Sequence, residues 1–180
     1  MIIGITGTNG AGKGTVVEYL KSKGFKHFSA RDIFVEEIKK RGLPVNRDSM
    51  IVVANDLRLK HGSAFFAEKA VTYAHDNGGD IIAESIRSVG EAEHLKKNGA
   101  MLWAVDADPK TRYERVVKRM SETDQVTFEK FIENEKQEWE NTDPTKQNLK
   151  GVIAMADAVL TNNGTQEELF LQVEKALKTA

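Results

Sequence analysis

Cysteine is missing from all 180 residues. Its absence excludes disulfide staples, thiolate zinc sites and a cysteine nucleophile. Proline is scarce, with only Pro44, Pro109 and Pro144, so no Pro-rich linker divides the chain. No hydrophobic run approaches the roughly 20 apolar residues of a membrane-spanning helix, and the apolar opening, Ile2 to Gly7, has no charged segment before it and no cleavage site after it. A targeting or anchoring segment is therefore not expected, and the reading is cytoplasmic. Excess charge is lacking too. Against 27 acidic residues stand 26 basic ones, a formal net charge of −1, which gives no footing for binding nucleic acid or a membrane surface. Arginine is absent after Arg119. Because the guanidinium fork suits phosphate oxygens better than a lysine does, anion recognition is expected before residue 120.

What is present is an alternation of short β-type and helical runs over residues 1–180, with no repeat. That is the pattern of one α/β domain, a central parallel five-stranded sheet flanked by helices. The strands are "IIGIT", "KHFSA", "DIIAES" (80–85), "AMLWAVDA" (100–107) and "DAVLTN". The first has no polar alternation and is expected to be buried on both faces. Helical spacing covers the stretch up to Gly24, residues 32–41, 48–60 and 64–76, then a helix opened by Asp108-Pro109 and running to about Met120. An acidic helix striped by Phe128, Phe131, Ile132 and Trp139 needs a packing partner. Asp143-Pro144 is expected to open a later helix, and a capping box of Thr165 and Glu168 the last.

Between the first strand and the first helix lies "GTNGAGKGT". Two glycines and a lysine in this place form a phosphate cradle: successive backbone N–H groups make an anion nest, and the helix N-terminus adds positive potential. Gly7, Asn9, Gly10, Ala11, Gly12, Lys13, Gly14 and Thr15 are the expected nucleotide contacts, with Lys13 on the β/γ-phosphates. Gly14 stands where such loops carry the Ser or Thr that ligates Mg²⁺. Either Thr15 substitutes, or the metal is held by phosphates and waters with acidic side chains behind them.

The glycine between lysine and threonine resembles the loop of adenylate kinases and related nucleoside monophosphate kinases. "SARDIFVEEIKKRG" is similar to that family's acceptor motif through Ser29 and Asp32, with Val35 where the family has a phosphate-binding arginine. "ESIRSVGEAEHL" is similar to a second acceptor segment through Glu84, Arg87, Ala92 and Glu93. "YERVVKR" resembles the start of the family's lid, whose later arginines are missing here. The resemblance implies a P-loop kinase fold, ATP and Mg²⁺ as cofactors, an acceptor-binding helical region at about 31–77 and a lid at about 120–144. Arg115 and Arg119 would face the transferring phosphate. "ADAVLTNNGTQEELFLQVEKAL" is similar instead to the end of dephospho-CoA kinases, which agree on the reaction and differ in the acceptor.

The chemistry points the same way. Phosphoryl transfer asks for positioning and for cations around the equatorial oxygens. Lys13, Arg87, Arg115 and Arg119 come from separate segments that a parallel sheet brings to the carboxyl ends of its strands. Asp32 and Glu84 are candidates for metal-bound waters or for orienting the acceptor, with a plain helix N-cap as the competing reading of Asp32. Asp106 and Asp108 lie near the end of the fourth strand. His27, His61, His75 and His94 lack metal-ligand spacing. A lid without arginines would rely on Lys130, Lys136 or Lys146, or leave the phosphates to Arg115 and Arg119. The expected partners are ATP and a small nucleotide-like acceptor, a (deoxy)nucleoside monophosphate or dephospho-CoA, with no nucleic acid and a monomer or small homo-oligomer. A regulatory ATPase, which needs no acceptor pocket, is the alternative class.

Overall fold

The computed structural model describes residues 1–119, 126–144 and 146–179. Its elements, in chain order, are β1 (Ile2–Gly7), α1 (Lys13–Ser22), β2 (Lys26–Ser29), α2 (Ala30–Lys40), α3 (Arg47–His61), α4 (Phe65–Asn77), β3 (Ile81–Glu84), α5 (Val89–Lys97), β4 (Met101–Asp106), α6 (Pro109–Lys118), α7 (Phe128–Trp139), α8 (Leu149–Ala154), β5 (Ala158–Thr161) and α9 (Gln166–Leu177). The five strands form one parallel sheet, as the alternating pattern predicts, and their order is β2-β3-β1-β4-β5.

β1 sits at the centre because it is apolar on both faces. Ile3 and Ile5 pack with Val16 and Leu20 of α1, Trp103 of β4 and Val173 of α9. On the other face α4, α5 and α8 cover the sheet through Ala70, Leu95 and Val152. Gly4 lets α5 come close, since a Cβ there would lie 2.8 Å from Leu95 Cδ1 and 3.2 Å from Leu102 Cδ1. α2 and α3, inserted between β2 and β3, share a small core of Ile38, Val53 and Leu57 that closes on Phe66 of α4. No helix among the described residues is long and apolar enough to cross a membrane.

Three local expectations change. α5 is an additional helix, opened by a capping box in which Ser88 Oγ accepts from the Glu91 N–H at 3.2 Å and Glu91 accepts from the Ser88 N–H at 3.1 Å. Asp143-Pro144 opens no helix. The Lys146 N–H donates to the Asp143 carbonyl at 3.0 Å, which closes a turn with Pro144 in its second position. α8 starts later, at Leu149, with Asn148 accepting from the Gly151 N–H at 2.9 Å. α2 begins at Ala30 behind Ser29, so Asp32 is not the N-cap but an acid in the first turn, where it complements the helix dipole.

Candidate phosphate and acceptor site

The loop is shaped by what approaches it from behind. A Cβ on Gly10 would run into the backbone carbonyl of Arg112, and one on Gly12, at φ 101°, into the side-chain amide of Asn162. Asn162 is buried at the end of β5 and donates from Nδ2 to the Ala11 carbonyl at 2.8 Å. It also accepts from Arg115 Nη2 at 3.4 Å. Lys13 Nζ donates to the carbonyls of Gly7 and Thr8, each at 2.8 Å. α1 starts with no side-chain cap and no acid in its first turn, so its leading N–H groups and dipole face a bound anion. Gly14 has an ordinary backbone, and a Cβ there would meet nothing within 4 Å; neither strain nor crowding requires a glycine.

Beside the loop is a cavity of about 440 Å³. Lys13, Glu84, Arg87 and Arg119 line it at the strand ends, and Arg31 and Arg58 line it from α2 and α3 with Phe34, Met50, Ile51 and Ala54. Desolvation, with the Arg87 charge adding to it, pushes the Lys13 ammonium down to about 7 against the opposing pull of Glu84 and Glu138. Glu84 is held below the usual carboxylate range. Burial works against this, but the hydrogen bond to His27 Nε2 at 3.1 Å and the charges of His27, Lys13 and Arg87 outweigh it. Next to it Ser85 has φ 71°, a left-handed conformation unusual for serine. Arg87 Nη1 donates to Glu138 of α7 at 2.8 Å and to Gln147 at 3.2 Å.

The structure therefore brings together Asn9, Lys13, Glu84, Arg87 and Arg119. Arg115 lies behind the loop against Asn162, with Nη1 buried and without a partner among the described residues. Ser29 ends β2 as the residue before α2, Asp32 is exposed, and Thr15 sits in the first turn of α1; none of these three lines the cavity. Asp106, which accepts from Thr8 Oγ1 at 3.2 Å, and Asp108 line a second cavity of about 440 Å³ between the ends of β4 and β5 and helices α6 and α7. Lys136 lines that cavity too, Lys130 pairs with Glu133 at 2.9 Å, and Lys146 lines a smaller one of about 270 Å³. None of the three lysines reaches the cavity beside Lys13. Part of the expected lid, residues 120–125, lies outside the described residues.

Arg31, Arg58, Glu138 and Asn162 were not legible as site residues. Each sits in a locally ordinary helical or loop sequence and reaches the cavity or the phosphate loop only through tertiary contact. His27, which lacks metal-ligand spacing in the sequence, is the hydrogen-bond partner of Glu84. Mg²⁺ keeps most of its water and takes one or two carboxylates beside substrate phosphates. An ionised Glu84 facing the phosphate loop fits that requirement. No group of three His, Asp or Glu side chains among the described residues forms a metal site by itself.

A family model described as an AAA domain matches residues 3–143. The chain is 32% identical over 182 residues to a UPF0200 protein of Thermococcus kodakarensis, covering 97% of this chain and 95% of that one. It belongs to the UPF0200 family. A second member, from Methanocaldococcus jannaschii, is also 32% identical, with 99% of this chain and 89% of the other covered. Among solved structures, the UPF0200 chain matches TT1252 of Thermus thermophilus at a TM-score of 0.61 and 22% identity over 99% of this chain and 97% of that one. It matches the shikimate kinase of Acinetobacter baumannii, in complex with shikimate, at 0.53 and 14% identity over 99% and 93%. At such identities the likeness is one of fold, and the fold is that of the P-loop kinases, as the sequence resemblance implied.

Proposed function

We propose that this protein is an ATP-dependent phosphotransferase that moves the γ-phosphoryl group of ATP to a small nucleotide-like acceptor. The observation that carries this reading is the single cavity in which Lys13 of the phosphate loop faces Arg87 and Arg119. A nucleotide switch needs the loop but has no use for an arginine-lined space on its far side. In this reading Lys13 and the N–H groups from Gly10 to Thr15 hold the β- and γ-phosphates. Arg87 and Arg119 gather charge on the transferring oxygens, and Arg115 backs the loop from α6. An acceptor oxygen attacks the γ-phosphorus, the bond to the β–γ bridging oxygen breaks, and ADP leaves. Mg²⁺, when bound with ATP, supplies neutralisation of the phosphate charge. Glu84 would hold one of its waters, with Thr15 and Asp32 as weaker candidates for that role. For a hydroxyl acceptor, Glu84 is the carboxylate placed to take the proton, with His27 behind it.

A (deoxy)nucleoside monophosphate is the favoured acceptor and dephospho-CoA its rival. The kinase reading is also supported by solved kinases of other small acceptors, including shikimate kinase of Aquifex aeolicus at a TM-score of 0.51. The test is ADP release measured over a panel of nucleoside monophosphates and dephospho-CoA. Release should rise only with the correct acceptor and fall at least about a hundredfold in Lys13→Ala. Turnover that is the same with and without every acceptor would sink the phosphotransferase reading in favour of an ATPase.

A further inference from the structure

Arg58 is among the most deeply buried charges in the chain, 1% exposed. α3 carries it to the floor of the cavity beside Lys13, with its guanidinium carbon 5.1 Å from the Phe66 ring centroid. Nε donates to Glu91 Oε1 at 2.9 Å, and Glu91 is as buried as Arg58. The other Glu91 oxygen accepts from the Arg87 N–H at 2.8 Å and the Ser88 N–H at 3.1 Å. That carboxylate is thus committed to the α5 cap and to Arg58 Nε. Among the described residues, Arg58 Nη1 is buried with no hydrogen-bond partner.

Leaving a charged donor unmatched in the interior costs on the order of 1–3 kcal/mol or more, and native proteins rarely leave such groups without a ligand, water or ion to meet them. The surroundings say which kind of ligand. Among the described residues that line the cavity, Lys13, Arg31, Arg87 and Arg119 are cationic and Glu84 and Glu138 are acidic. Among the described residues, the hydrogen bond of Arg31 is to the Met50 sulfur, at 3.4 Å. α2 presents Val35, not the arginine that the adenylate kinase resemblance would place there.

We propose that Arg58, assisted by Arg31, binds a phosphate group of the acceptor, so that the acceptor is a phosphorylated molecule and not a neutral nucleoside or sugar. This rests on the phosphotransferase reading and sharpens it. Glu91 engages Nε, which leaves Nη1 as the uncommitted donor of a side chain that lines the cavity. Phe34, Met50, Ile51 and Ala54 offer an apolar wall to the rest of the molecule.

The experiment loads the full chain with Mg²⁺ and the non-hydrolysable analogue AMP-PNP, filling the donor phosphate positions, and titrates inorganic phosphate by calorimetry at constant ionic strength. Wild type is expected to bind phosphate. Arg58→Lys keeps a cation for Glu91 but has no second nitrogen to offer, and is expected to bind it at least about tenfold more weakly, with AMP-PNP affinity changed less than about twofold. Arg58→Gln/Glu91→Gln replaces the ion pair by a neutral hydrogen-bonded one and should lose phosphate equally, while its thermal midpoint reports that it folds. Phosphate affinity equal to wild type in either folded variant, or no phosphate binding by wild type, overturns the assignment. If AMP-PNP itself fails to bind, the kinase reading falls, and the same comparison of wild type with Arg58→Lys on nucleotide-free protein then judges Arg58 alone.

Discussion

Lys13 carries more chemistry than its place in a glycine-rich motif conveys. With its ammonium pushed down to about 7, roughly half of these side chains are neutral in the free protein at pH 7. Phosphate oxygens stabilise the charged form, so the pKa rises when nucleotide binds. Binding is then linked to proton uptake, and the sign follows: above pH 7 the free lysine must first take up a proton. ADP affinity is expected to fall by up to about tenfold per pH unit between pH 7.5 and 9. Calorimetry in buffers of different ionisation enthalpy should show the proton directly. Affinity that stays flat over that window would mean the ammonium is charged throughout. At the same scale, the contrast between Gly12 and Gly14 separates two reasons for glycine. Gly12 is required by its backbone and by Asn162, whereas Gly14 has room for a side chain, so its effect is simply the missing hydroxyl.

Among the elements, α7 is the one the sequence described half correctly. Its apolar stripe foretold a packing partner, and the structure supplies one: Tyr113 of α6 lies 5.3 Å from Phe128 and 5.7 Å from Phe131 between ring centroids. The acids of the same helix were unreadable as site groups, yet Glu138 pairs with Arg87 and Glu135 with Arg112. α7 thus meets Tyr113 through two aromatic rings and forms ion pairs to arginines that border the cavities. Phe131→Ala removes a buried ring at a local cost of about 3–5 kcal/mol. The loss should appear as sub-global opening: hydrogen exchange accelerates in α7, and β1 and β4 keep their protection. Equal acceleration in the central strands would show that the helix is not a separable unit. α5 was legible in hindsight, since Ser88 and Glu91 have capping-box spacing. Asp143-Pro144 misled because a proline after an aspartate serves a turn as well as a helix start.

For the whole molecule, the strands, the loop and the first helix could be read in order because they rest on local signals: apolar runs, glycine spacing and caps. The sheet order and the convergence of Arg58, Arg87 and Glu138 could not, since they depend on segments far apart in sequence meeting across α3, β3 and α7. The same separation applies to the cradle. Asn162 reaches the Ala11 carbonyl from 151 residues away, so the loop near the start takes its shape from a side chain near the end. In synthesis, this makes phosphate competence a late acquisition. A ribosome-arrested chain with only residues up to 157 outside the exit tunnel is expected to retain no ADP, and one with residues up to 179 outside to retain it. ADP retained equally by both would show that the loop closes without β5. The anion nest thus doubles as a report that the final strand has joined the sheet.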